Sequence, residues 1–131
     1  MKNPPMSARK KREIRDKMQV SFPAFFGSPT DPLPAAEDMQ EKLIAATAAV
    51  ITTDEATAFL TYWCKRPAYL AGLTTRARRF DLYGEPTGFI SAQDREEAVE
   101  ELAMLLATRW LSKKQRIRRL ASKRMRRLSL P

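Results

Sequence analysis

Between Cys64 and Ser91 the chain reads CKRPAYLAGLTTRARRFDLYGEPTGFIS. Lys65, Arg66, Arg76, Arg78 and Arg79 gather there around Tyr69 and Tyr83, with a Gly84-Glu85-Pro86 turn among them. A guanidinium grips phosphate oxygens through two parallel donors, and a tyrosine ring stacks on a splayed base or hydrogen-bonds it. The stretch therefore reads as a solvated basic face or as a seat for something anionic and flat. A second cationic set, Lys113, Lys114, Arg116, Arg118 and Arg119, lies in the terminal run RWLSKKQRIRRLASKRMRRLSLP.

Composition removes most alternatives. The chain has no histidine and one cysteine, which disfavours Cys/His zinc sites and His-based triads. Carboxylates fall at helix starts or on helix faces, where a structural role is expected. No P-loop or Gly-x-Gly-x-x-Gly pattern occurs among the four glycines. The longest apolar run, LIAATAAVI, is about half of a membrane span. No catalytic residue, metal site or cofactor is therefore expected. Cys64 alone makes no internal disulfide and suits a reducing, cytoplasmic setting.

The charge is distributed unevenly. Residues 1–17 carry seven Lys/Arg against two acids, residues 18–108 seven against thirteen, and residues 109–131 ten against none. A slightly acidic folded domain over 18–108 is thus expected between a basic N-terminal arm and a basic helical extension. Such blocks favour polyanions.

The elements that must position these residues are mainly helical (α+β): about five helices and one small β-hairpin. A first helix is expected near Ala8–Val20, broken at Pro23, with Phe22, Phe25 and Phe26 folding under the domain. GSPTDPLP reads as a stiff loop. Pro34 suits a first helical position, opening a second helix to about Ala49 that buries Met39, Leu43, Ala46 and Val50. Thr52 and Glu55 form a capping box for a third helix with Ala56, Phe59, Leu60 and Trp63 on its buried face. That helix stops before Pro67, which starts a short fourth. Phe80 and Leu82 alternate with Arg79, Asp81 and Tyr83, predicting a hairpin with Phe80 in the core and Tyr83 outward. Ser91 caps the fifth helix, whose buried stripe is Ala98, Leu102, Leu105, Leu106 and Trp110 and which continues into the basic run.

YWCKRPAYLAGL followed by ARRFDLYGEPTGFIS resembles the ProQ/FinO family of bacterial RNA chaperones. The likeness rests on Tyr69-Leu70, then Arg79, Asp81, Leu82, Gly84 and Gly88, with FPAFF and PLP upstream. It spans roughly residues 10–104 and is most specific over 62–91. It implies a compact helical domain gripping the foot of a terminator-like hairpin and its 3′ single-stranded tail. Its implied activity is to protect small RNAs and promote sense–antisense pairing. Tyr69 and Arg79 are implied to form the pocket for the 3′-terminal nucleotide. Structured small RNAs and messenger 3′ ends are the implied partners of a monomeric protein without membrane attachment.

The sequence departs from the family pattern where Pro34, Thr57 and Thr61 stand at positions often basic. Lys65, Arg66, Arg76 and Arg78, together with the two arms, are expected to supply that charge. Three other readings remain open: a DNA-binding regulator, a ribosome-associated basic protein and a metal-dependent phosphodiesterase. On the bland reading Tyr69 is a packing residue and Arg79 pairs with Asp81 or with an acid on the fifth helix. The basic extension could lie along RNA phosphates, sit on an anionic membrane or dock a partner helix.

Overall fold

The computed structural model describes residues 6–129, so the first five residues of the basic arm lie outside it. Helix α1 (Ala8–Ser21) opens on Ser7, whose hydroxyl accepts the Lys10 N–H at 3.1 Å, and buries Ile14 and Met18. Pro23 cannot donate to the helix and begins a separate turn, α2 (Pro23–Phe26). That turn drives Phe25 and Phe26 into the core, where Phe26 meets Trp63 edge-on at 5.2 Å and Phe59 at 5.6 Å. Helix α3 (Met39–Thr47) follows the proline loop.

Helix α4 (Thr53–Cys64) has the full capping box. The Glu55 N–H donates to the Thr52 hydroxyl, and the Thr52 N–H donates to the Glu55 carboxylate. Its face Ala56, Phe59, Leu60 and Trp63 is buried. The ammonium of Lys10 lies 2.9 Å from Glu55 and so ties α1 to the start of α4. Together these contacts hold the Glu55 carboxyl down to about 2: the Thr52 backbone N–H contributes most and Lys10 next.

Helix α5 (Pro67–Thr75) is followed by an antiparallel ribbon, β1 (Arg78–Phe80) and β2 (Pro86–Phe89). Arg79 faces Gly88 across the pair, with an irregularity between Arg79 and Phe80. At the turn, one Asp81 carboxylate oxygen accepts the N–H groups of Tyr83 and Glu85, both at 2.9 Å. Gly84 has φ 80°, and a Cβ there would stand 2.9 Å from the Ala24 side chain, so glycine is required twice over. The ribbon docks through Phe80, whose N–H donates to Pro34 C=O and whose C=O accepts from Ala36 N–H.

Helix α6 (Ala92–Ser129) starts at Ser91, whose hydroxyl accepts the Asp94 N–H. The guanidinium of Arg95 donates to the Thr74 and Arg76 carbonyls at 2.7 and 3.0 Å, closing the C-terminal end of α5. Among the described residues no helix is long and apolar enough to cross a membrane.

The mainly helical fold and long C-terminal helix match the expectation, with four local corrections. Pro34 is not a helix start: it is buried in extended backbone that the ribbon uses as an edge, and α3 begins at Met39. Ala46 and Val50 are exposed: the buried positions Met39, Leu43 and Thr47 recur every four residues, which leaves Ala46 off that face, and Val50 lies beyond the end of α3. Phe80 is half-buried, since no second layer covers the two-stranded ribbon. Leu106 and Trp110 are 51% and 59% exposed, because they lie about a quarter-turn from the side of α6 that packs on the body through Ala98, Leu102 and Leu105.

Candidate nucleic-acid interface

The basic residues read from the sequence do not form one cup around Tyr69. Lys65 and Arg66 line one surface and Arg79 another. The larger is a cleft of about 910 Å³ where α1, the α4–α5 junction and α6 meet. Lys11, Lys65, Arg66 and Arg109 line it with Thr61, Tyr62, Pro67 and Ala68, and its lining contains no acid. Lys11 lies over the Tyr62 ring at 4.7 Å. A neighbouring groove continues this surface along Ala8, Lys11, Arg12, Arg15 and Tyr62.

Local structure explains why the cleft is open and cationic. Pro67 forces a break after Cys64 and restarts the chain as α5, so the Ala68 and Tyr69 N–H groups in its first turn have no partner within the helix. Arg66, immediately before it, is fixed from two sides. Its Nη2 donates to Pro29 C=O at 2.6 Å, and its guanidinium covers the Trp63 ring at 4.6 Å. Its Nη1 is buried without a protein partner. A fixed guanidinium beside a helix N-terminus suits an anionic oxygen.

The second surface is a hollow of about 540 Å³ lined by Ala36, Glu37, Asp38, Arg79, Thr87, Gly88 and Phe89. Arg79 enters it already engaged: Nη1 donates to Ala35 C=O at 2.8 Å and Nη2 to the Asp94 carboxylate at 2.7 Å. The pairing with an acid on the last helix is thus realised, while Arg79 Nε is buried without a partner. Tyr69 lies beneath, 4% exposed, and its hydroxyl accepts the Ala35 N–H at 2.9 Å. Burial above all pushes its phenol up, and it also pushes the adjacent Cys64 thiol up to about 11. Tyr69 is therefore a buried support for this wall, not an open platform for a base.

The remaining sequence-selected residues are dispersed. Arg76 pairs with Asp31 at 2.8 Å, and Arg78 lies over the exposed Phe89 ring at 4.7 Å. Tyr83 is 70% exposed, with its ring edge-on to Phe22 at 6.2 Å. Lys113, Lys114, Arg116, Arg118 and Arg119 are exposed on α6, with Lys114 over Trp110 at 4.8 Å. Sequence reading missed Lys11, Tyr62 and Arg109 as one site. Lys11 and Tyr62 carry a signal only once α1 is known to lie against α4, and Arg109 only once α6 is known to pass the cleft. Among the described residues no group of three or more Cys, Asp or Glu could hold a metal ion.

No curated protein matches the chain. Two solved structures share its fold. A FinO-like RNA chaperone from Neisseria meningitidis is 24% identical, with TM-score 0.59 over 70% of this chain and 93% of that one. A ProQ homologue from Legionella pneumophila is 19% identical, with TM-score 0.61 over 78% and 88%. The ProQ/FINO family model matches residues 8–117, which takes in the cleft, the ribbon and the first two-thirds of α6. With that match across most of its length, the chain belongs to the ProQ/FinO family, an RNA-binding chaperone family.

Proposed function

We propose that the chain binds structured RNA with its phosphate backbone in the cleft of Lys11, Lys65, Arg66 and Arg109 and its 3′ end in the hollow beside Arg79. The observation that carries this reading is the acid-free lining of the cleft. In a domain whose residues 18–108 hold more acids than bases, a concave cationic surface of this size favours a polyanion.

The hollow has mixed chemistry that suits a chain terminus. Arg79 sets its positive charge in the wall beside the last phosphate, while the Glu37 and Asp38 carboxylates accept from the two hydroxyls of a terminal ribose. A 3′-phosphate would instead meet those carboxylates as a like charge. In this reading Tyr69 shapes the wall through Ala35. The exposed cations of α6 add phosphate contacts further along a hairpin stem. Protection of small RNAs and pairing of antisense with target follow as the activities of such a protein.

The test is a titration with a GC-rich hairpin bearing a single-stranded 3′ tail, ending in either a hydroxyl or a phosphate. The hydroxyl form is expected to bind more tightly by on the order of 1–3 kcal/mol, and Glu37→Gln with Asp38→Asn to abolish the difference. Equal affinity for the two ends would remove the 3′-end assignment. Equal affinity for the hairpin and a duplex DNA at moderate salt would favour a DNA-binding regulator instead.

A further inference from the structure

One side of helix α6 is apolar and left uncovered by the body of the protein. Val99, Leu106, Trp110 and Ile117 are spaced by seven, four and seven residues. With about 100° of turn per residue, that spacing keeps them on one stripe. All four are at least half exposed. The stripe is distinct from the face that packs on the body: Leu102 belongs to that face, and Arg109, Arg116 and Lys123 continue it at intervals of seven. Phosphate binding by the basic row leaves the stripe without a role, and an exposed apolar surface of this extent marks an interaction site.

Charge selects its occupant. Residues 92–108 of the helix carry five acids against one arginine, and residues 109–129 carry ten Lys/Arg and no acid. We propose that the stripe pairs antiparallel with the same stripe of a second copy of this chain. A parallel pair would stack the two basic halves on each other. An antiparallel pair sets each acidic half against a basic one, so like charges separate and opposite charges meet.

The register follows from the stripe itself. Placing Leu106 opposite Trp110 of the second copy also places Val99 opposite its Ile117. Lys113, the break in the stripe, then faces Ala103, which leaves room for the lysine stem. Glu96 and Glu100 flank the stripe on the same side as Lys114 and Arg118, at helical spacings of four, fourteen and four. A two-fold axis perpendicular to the helices turns that side of each copy toward the same side of the other. Glu100 thereby sits between Lys114 and Arg118 of the second copy. The row Arg109, Arg116 and Lys123 lies about a quarter-turn away and remains open to RNA.

The test uses the full chain, freed of nucleic acid, in sedimentation equilibrium up to about 100 μM, a range that detects even weak pairing. Twice the chain mass is expected, and the exposed-site double variant Trp110→Glu with Ile117→Glu should weaken dimerisation at least about tenfold. Orientation is read from disulfides in a Cys64→Ser background. A Val99→Cys chain mixed with an Ile117→Cys chain should crosslink, and Ile117→Cys chains should not crosslink with one another. A monomer across the whole range overturns the proposal, as does a dimer indifferent to the double variant. Crosslinking of Ile117→Cys with itself overturns the antiparallel arrangement.

Discussion

Tyr69 and Arg79 hold opposite ends of a single residue, Ala35: the tyrosine hydroxyl accepts its N–H at 2.9 Å and the arginine donates to its carbonyl at 2.8 Å. Asp94 on α6 holds the same arginine at 2.7 Å. Helix α5, the ribbon, the proline loop and the last helix therefore converge on one short segment of backbone. The wall of the hollow beside Arg79 is built by this convergence. A disturbance of Tyr69 reaches the hollow through Ala35 without any direct contact with a ligand.

Tyr69→Phe leaves the buried Ala35 N–H without its acceptor. We expect a loss of about 1–3 kcal/mol in urea unfolding with an unchanged denaturant slope. An unaltered midpoint would show that the hydroxyl hydrogen bond contributes nothing to stability.

Substituting Lys11, Lys65 and Arg109 together with alanine leaves the core intact, because these side chains line an open cleft. The dependence of log affinity on log salt should flatten by roughly 0.7–0.9 for each phosphate that is no longer neutralised. The measurement is a hairpin RNA titration at several salt concentrations. Arg66 is left in place because it also covers Trp63.

Removal of residues 112–131 takes away nine Lys/Arg from a segment whose described residues are exposed. Measured at a concentration too low for two copies to pair, the thermal midpoint should stay within a degree or two, since the deletion then removes almost no buried area. RNA affinity should fall for all sequences alike, with a shallower salt slope. A large fall in the midpoint would mean that the extension supports the domain.

Acid should weaken the domain through Glu55. Its carboxyl is held down to about 2 from an ordinary 4.5, so the folded state favours the ionised form. The stability this confers is present above pH 4.5 and is lost as the pH falls toward 2. Urea midpoints measured down this range should drop less steeply in Glu55→Gln, which cannot ionise.

Cys64 should be inert to thiol reagents in the native state. Burial raises its thiol to about 11, so at pH 8 roughly one molecule in a thousand carries the reactive thiolate. Its modification rate should approach that of an ordinary cysteine only in denaturant. Rapid native labelling would show that the α4–α5 junction opens readily.

The capping box, the helix break at Pro67, the hairpin and the Phe-rich turn were legible because each depends on neighbours within a few residues. Thr52 and Glu55 are three apart, and Gly84 is dictated by its own φ. Pro34 was misread for the same reason. As a local signal it suits a helix start, but its carbonyl is taken by Phe80, 46 residues away. Leu106 and Trp110 have the period of a buried stripe, and no periodicity tells whether another surface is there to cover them.

By itself the sequence determined the helical class, the two basic ends and the Tyr69–Arg79 signature, since composition and short-range pattern carry all three. Only the tertiary structure decided that Lys65 and Arg66 line one surface and Arg79 another, that Tyr69 is buried, and that Lys11, Lys65 and Arg109 share a cleft. The reason is that an exposed charge gains little from any one neighbour, so nothing in its local sequence encodes which distant cation it will stand beside. That choice is made by the apolar core, which orients α1, α4 and α6 and carries the surface charges with them.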